Sequence, residues 1–496
     1  MDAGMEFCIR LVTEMKDKKE NILLQSMVII LLVVLSYILA RILGLTTRPR
    51  VVKCEMAVLM IVALLTYISR IRKGDLDGAV SMIIAGGIIM RIGYMLYTNV
   101  DVRSHDLFEI DVNGAGHAGY LLTVMKKHCL PTSNSLQLYQ QPFYYIIGAC
   151  FSGLIHLFLE YKNDFYLVDA AKTVSCMASC ISILIYKRIL EECDLNKEQI
   201  KNAMLAVTFI PAFYLTGGRV GVNALATMFM MLAFLYTLRF MKSPDWKNTI
   251  VLAVIYGFGV MTKISCAVLA IFTAWIFIKK LMEKKEWKER RELLFKYTLF
   301  GMISLPLGLW YSVRNYILFR QPLNYVLRQS DSSELYTGNY SVVRRLIGVD
   351  ISNLLKSPYV NVREDYNAPV YYMKSALFGE LTYLIPGFLP VILLWCTVIV
   401  SFAVFAAIIW QFTKNRKDKM GNLVAAVMLW YYGNMLFFYY QYPHGCSMDF
   451  RYMLFITVPT GILLVKYMSA YPLNSRSINW VIWGEVICSC VMYCMI

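Results

Sequence analysis

Apolar runs close to twenty residues long recur along the whole chain, and few of them carry a charge. About 20 apolar residues wound as an α-helix span the hydrocarbon core of a bilayer, and helix is one of only two ways to satisfy every backbone N–H and C=O in lipid. The other way, a closed barrel, needs segments of about ten residues that alternate with a two-residue period, and no window here does so. Hydrophobic residues make up 58% of the chain against 17% charged, with a mean hydropathy of +0.53, well outside the range of water-soluble domains. The fold class is an all-α integral membrane protein, multi-pass in the cell membrane.

Candidate spans fall at 22–44, 53–70, 78–98, 142–160, 166–188, 201–217, 220–240, 249–262, 264–280, 294–317, 385–412, 421–440, 450–470 and 478–495. About 12–14 transmembrane helices are expected. The chain divides into N-terminal membrane helices (1–98), a first external loop with surface helices (99–141), core transmembrane helices (142–317), a second external loop or cap (318–384) and C-terminal transmembrane helices (385–496). The basic segment Lys16–Lys19 precedes the first apolar run, and no small-residue cleavage site follows that run. It reads as the start of a spanning helix rather than a cleavable signal.

Lysine and arginine in short loops set the orientation. Lys16 to Lys19, Arg70 to Lys73, Lys279 to Arg291 and Lys414 to Lys419 read as cytoplasmic. This places 99–141, 217–222, 262–265, 318–384 and 439–449 together on the external face. Two features resist: Arg48, Arg50 and Lys53 come out external, and the basic stretch 187–201 is cytoplasmic only if 142–190 crosses an odd number of times. A re-entrant or shallow 142–160 meets that condition. The net charge of +16 is accounted for by these loops, so nucleic acid is not expected as a partner; the lipid bilayer is. Most of the thirteen cysteines lie in apolar runs, and no disulfide framework is implied.

The polar stretch 99–145 stands out against this background. Asp101, Arg103, His105, Asp106, Glu109, Asp111 and His117 occupy seventeen residues, and three of the five histidines lie within it. Ionisable groups at a membrane edge are costly to keep without a use. The run GAGHAGYLLTVMKKH, followed by Pro131, reads as a helix on the membrane surface. Further along, Asn223 opens a span, Lys263 sits between two apolar runs and Arg314 ends one, while Lys374 and Glu380 lie in the cap and Asp449 and Arg451 between two late spans. Each has a plainer alternative: a loop ion pair of Asp106 with Arg103, a helix cap for Asn223, a snorkelling Lys263, an interfacial anchor at Arg314, an interfacial Asp449 and Arg451 pair.

In this order the motifs resemble the multi-spanning type C glycosyltransferases, specifically the dolichyl-phosphate-mannose protein mannosyltransferase and lipid A aminoarabinose transferase group with its bacterial relatives. The resemblance is carried by Arg103-Ser-His105-Asp106, Gly116-His117-Ala-Gly119-Tyr120, Tyr139-Gln140-Gln141-Pro142-Phe143-Tyr144-Tyr145, Arg219-Val-Gly-Val-Asn223, Lys263, Trp310-Tyr-Ser-Val-Arg314, Tyr371-Tyr372-Met-Lys374 with Glu380, and Cys446-Ser-Met-Asp449-Phe-Arg451-Tyr452. Gln140 and Gln141 stand where the family has His and Pro, and Ala224 replaces an Asp. The resemblance implies a polyprenyl-phosphate-sugar donor, an unspecified acceptor, and Asp106 or Asp101 as the base. It also implies substrate contacts from Arg103, His105, His117, Tyr120, Gln140, Tyr144, Asn223, Lys263, Arg314, Lys374, Glu380, Asp449 and Arg451.

No histidine or cysteine spacing matches a structural zinc site, and no nucleotide-binding glycine motif occurs. No cofactor is required by this reading, although carboxylates of this kind are compatible with a divalent cation. The expected reaction is inverting transfer to an acceptor hydroxyl at the external, cell-envelope face. A polytopic carrier or lipid-linked-sugar flippase is the alternative; it would place charges within the spans, where Lys172 is the main exception to the external clustering. A noncatalytic scaffold is a third.

Overall fold

The computed structural model describes residues 22–159 and 163–496, and all its extended regular structure is helix. The segment Lys16–Lys19 lies outside the described residues. Ten helices are long and apolar enough to cross a bilayer, eleven if the bent pair Lys197–Thr208 and Pro211–Gly217 is one span. The 58° bend falls where Pro211 lacks an N–H and its ring crowds the preceding turn. Trp246–Thr262 and Leu454–Ala470 are shorter, each roughly 25 Å at about 1.5 Å per residue. Apolar side chains such as Ile61, Leu65, Phe402 and Phe405 face outward along the long helices, as a lipid-facing belt requires.

Ion pairs between loops identify which helix ends lie together. Lys197 meets Asp77 at 2.6 Å, Arg239 meets Glu192 at 3.0 Å, Lys296 donates to the Pro244 carbonyl, Gln199 bonds Ser469, and Lys466 meets Asp418 at 2.6 Å. These contacts gather the basic loops, the 187–201 stretch included, at one end of the bundle. At the opposite end Lys126 pairs with Asp164 at 2.5 Å. The 14-residue helix Phe143–His156 therefore begins and finishes near the first polar loop and does not cross. Ser152 bonds the Leu167 carbonyl and Tyr144 bonds Ser175, so this helix doubles back along the start of Asp164–Glu192. The shorter helices Trp246–Thr262 and Leu454–Ala470 also run between the basic-loop end and the opposite end.

A buried ionic knot fixes where the first polar loop begins. Asp169 accepts from Tyr37 at 2.7 Å and from the Val100 backbone at 2.8 Å, and it pairs with Lys172 at 2.6 Å and with Arg41. Lys172 also donates to the Met95 and Thr98 carbonyls at the end of Leu76–Tyr97. Lys172 is thus a tie between helices. It has company inside the spans: Arg91 bonds Ser179 and the Gly87 and Thr208 carbonyls, and Glu485 bonds Thr397. Removing one partner of a buried pair leaves an uncompensated charge, so Asp169→Ala should lower stability by about 3 kcal/mol or more. The measurement is the unfolding midpoint of the purified protein in detergent; an unchanged midpoint would contradict the knot.

Candidate active site

The first polar loop folds back on the helix Gly116–Lys127 that follows it. The backbone of Asp106 accepts from His117 N–H at 2.9 Å and that of Leu107 from Ala118 N–H, so the loop satisfies amides that a helix start leaves open. Arg103, Asp106 and Phe108 all adopt the left-handed region, which costs non-glycine residues roughly 1–2 kcal/mol each. Gly116 makes the closure possible: at φ +75° a Cβ would come within 2.6 Å of the Asp106 carbonyl oxygen. The first two turns of this helix are buried within the protein and only its Lys126–Lys127 end is exposed. The expected helix exists, and its first two turns pack against protein.

Opposite this loop lies the 443–452 stretch, pinned to the cap. Thr337 N–H donates to the Pro443 carbonyl and Gly445 N–H to that of Leu335, both at 2.8 Å. One oxygen of Asp449 accepts from Arg451 N–H at 2.9 Å. Arg451 then reaches three groups: Asp449 Oδ2 at 3.3 Å, Asp106 Oδ2 at 3.5 Å and the Tyr452 hydroxyl at 2.9 Å. Lys263 lies 4.2 Å over the Tyr452 ring and donates to Asn223 Oδ1 at 2.6 Å. Asn223 is the first residue of its helix and its side chain serves Lys263 rather than a cap. From the cap, the buried helix Ala368–Phe378 ends at Gly379, whose φ of +61° and ψ of −146° suit glycine alone. That turn delivers Glu380, which accepts from Tyr371 at 2.6 Å and stands 3.5 Å from His105 Nδ1.

The cluster therefore joins His105, Asp106, Lys263, Glu380, Asp449 and Arg451, with Arg219 beside Gly379. It sets three carboxylic groups, Asp106, Glu380 and Asp449, beside Lys263, Arg219 and Arg451. Burial, with Arg219 and Arg451 nearby, pushes His105 below the usual histidine range. Burial likewise lowers His117 to about 4, against the pull of Asp106. Burial and the neighbouring Asp449 push Glu380 up to about 7.

Other expected residues take places around this centre. His117 Nδ1 meets the Tyr145 hydroxyl at 2.7 Å, Tyr145 donates to Gln140 at 3.1 Å, and Tyr120 stacks on Tyr145 while bonding Tyr311. Tyr144 bonds Ser175 and the Ala171 carbonyl, a helix-to-helix contact. Arg314 donates to the Pro131 carbonyl and lies over Tyr311, one layer out from the cluster. The pairing of Asp106 with Arg103 does not form: Arg103 donates to the Ile496 backbone and packs on Tyr383, because left-handed turns at 103 and 106 send the two side chains apart. Asp101 is exposed. Lys374 is buried against Asp365 at 3.1 Å and the Asn353 carbonyl, inside the cap.

Arg219, Tyr371 and Tyr452 were not singled out as site residues, although each borders one that was. Arg219 is buried with Nε and Nη2 unpartnered, and a charge at the mouth of an apolar run was the available signal. Lys374→Met should destabilise the cap by about 3 kcal/mol, since Asp365 would lose its cation. The unfolding midpoint should fall while the donor KM of the folded fraction stays unchanged; a donor KM effect without destabilisation would return Lys374 to the site.

Residues 165–310 match the family described as dolichyl-phosphate-mannose-protein mannosyltransferase. Two crystal structures of ArnT from Cupriavidus metallidurans, one apo and one bound to undecaprenyl phosphate, align with 81% of this chain and 79% of theirs, at 12% and 13% identity and a TM-score of 0.36 each. Among curated proteins none matches significantly. The matched stretch contains Arg219, Asn223 and Lys263, and the match supports a multi-pass membrane glycosyltransferase.

Proposed function

We propose that this protein is an inverting glycosyltransferase that moves a sugar from a polyprenyl-phosphate donor to an acceptor hydroxyl at the external face of the membrane, with Asp106 as the base. One observation carries the reading. Asp106, its side chain 35% exposed, is held by the buried Arg451 at the end of the bundle opposite the basic loops, in a cluster whose other cations are Lys263 and Arg219. An accessible carboxylate beside buried cations supplies both needs of a single displacement.

In that step the acceptor oxygen bonds to the anomeric carbon from the face opposite the phosphate, and its proton passes to the Asp106 carboxylate. The anomeric C–O bond to phosphate breaks, and its electron pair stays with the phosphate, which leaves with one more negative charge. Fixed cations in a poorly hydrated site stabilise that charge without reorganising. Single displacement inverts the anomeric configuration, and the leaving group needs no proton. Asp101 is exposed and is not joined to Arg451, which favours Asp106. The carrier alternative draws on ionisable groups in the spans, but Arg91, Asp169, Lys172 and Glu485 are each bonded to protein partners.

Purified protein in bilayers, given labelled polyprenyl-phosphate sugar and acceptor, should show Asp106→Asn slowing kcat by about 10²–10⁴-fold, with donor binding retained and Asp101→Asn close to wild type. Full activity in Asp106→Asn would overturn the base assignment. For the face, Cys129 is exposed in the first loop. With Cys54 and Cys150 replaced by serine, an impermeant maleimide should label Cys129 from outside the cell and Lys285→Cys only after permeabilisation. The reverse pattern would move the reaction to the cytoplasmic face.

A further inference from the structure

We propose that His105, Glu380 and Asp449 form a divalent-cation site, suited to Mn²⁺ or Zn²⁺. One ligand atom from each of the three lies within 4.8 Å of the others. They converge from three separate places in the chain: the first polar loop, the glycine turn after Ala368–Phe378, and the 443–452 stretch.

The side chains are already divided between protein partners and a shared centre. Tyr371 occupies one oxygen of Glu380, and the other, Oε2, faces His105. The Arg451 amide occupies Oδ1 of Asp449, and Oδ2 faces His105 Nε2 at 3.9 Å. Asp449 is 2% exposed, and neither its Oδ2 nor His105 Nε2 has a hydrogen-bond partner; Arg451 Nε approaches that oxygen at 3.3 Å without bonding it. A buried carboxylate oxygen that has an ion-pair neighbour but no hydrogen bond keeps lone pairs free for an occupant. Each ring nitrogen of His105 faces a carboxylate, Nδ1 that of Glu380 and Nε2 that of Asp449, and Nε2 is left without a hydrogen bond. A cation between the three takes up both atoms.

Ligand chemistry narrows the ion. One imidazole with two carboxylates suits borderline first-row divalent ions rather than a thiolate-loving metal. Metal–ligand distances of about 2.0–2.2 Å require the three groups to close by roughly 1 Å. The hydrogen bonds from Tyr371 and the Arg451 amide are the outer contacts that orient such ligands. A divalent ion would add positive charge to a site that already holds Lys263, Arg219 and Arg451. Use of that charge at a lipid phosphate rests on the glycosyl-transfer reading, while binding of the ion does not.

The test is binding rather than turnover. Full-length protein in detergent, stripped with EDTA, is titrated with Mn²⁺ while free Mn²⁺ is followed by EPR, and Zn²⁺ is added as a competitor. One ion per chain is expected, with affinity falling by about tenfold or more in His105→Ala, Glu380→Gln and Asp449→Asn, and unchanged in Asp101→Asn. Nitrogen couplings in the pulsed EPR of bound Mn²⁺ should disappear in His105→Ala. If Asp449→Asn fails to fold, His105→Ala, in a loop, decides alone. No stoichiometric binding would mean that His105 is a protonated bridge; equal binding in all variants would mean an adventitious ion only, and either result overturns the site. Binding without any sugar transfer would leave this site standing and remove the glycosyltransferase reading instead.

Discussion

Arg451 is the side chain on which the site depends. A buried guanidinium costs several kcal/mol unless it is well paired, and this one is met by carboxylates from opposite parts of the chain, Asp106 and Asp449, and by the Tyr452 hydroxyl. Because its partners belong to different loops, the same contacts that offset its burial fix the first polar loop against the last. His105, Glu380 and Lys263 are positioned around that clamp, and the left-handed turns at 103, 106 and 108 are strain that such a clamp can hold.

The rest of the molecule serves to bring these loops to one end. The knot at Asp169 anchors the loop where it leaves the membrane, and the cap is stitched to the 443–452 stretch by backbone hydrogen bonds. Within the cap, Asp365 and Lys374 do for the helix Ala368–Phe378 what Arg451 does for the site, since a buried pair fixes the end of an element whose far end carries Glu380.

Much of this was legible in the sequence for physical reasons. Lipid leaves helix as the economical solution, so apolar runs of spanning length announce themselves, and charges bordering them mark the faces. His105 and Asp106 in the first polar loop, Lys263 between two runs, Glu380 in the cap, and Asp449 and Arg451 between two late spans were all singled out, and the structure brings them together. Partner choice was not readable. Arg103 is three residues from Asp106, yet positive φ angles turn it toward Ile496. Lys374 and Lys263 look alike in sequence; one is neutralised by Asp365, and the other meets an aromatic ring and an amide. The non-crossing of Phe143–His156 was suggested by charge parity, but only Lys126 meeting Asp164 locates both of its ends.

The span between Asp106 and Arg451 also has a temporal meaning. The chain is made and inserted in order, so the carboxylate enters the far side of the membrane long before its counter-charge exists. Until the 443–452 stretch follows, His105 and Asp106 must be solvated by water, and nearly every helix has to be inserted before the cluster can close. The cluster is therefore among the last parts of the protein to assemble, and a chain interrupted before Asp449 lacks it however well its earlier helices have packed.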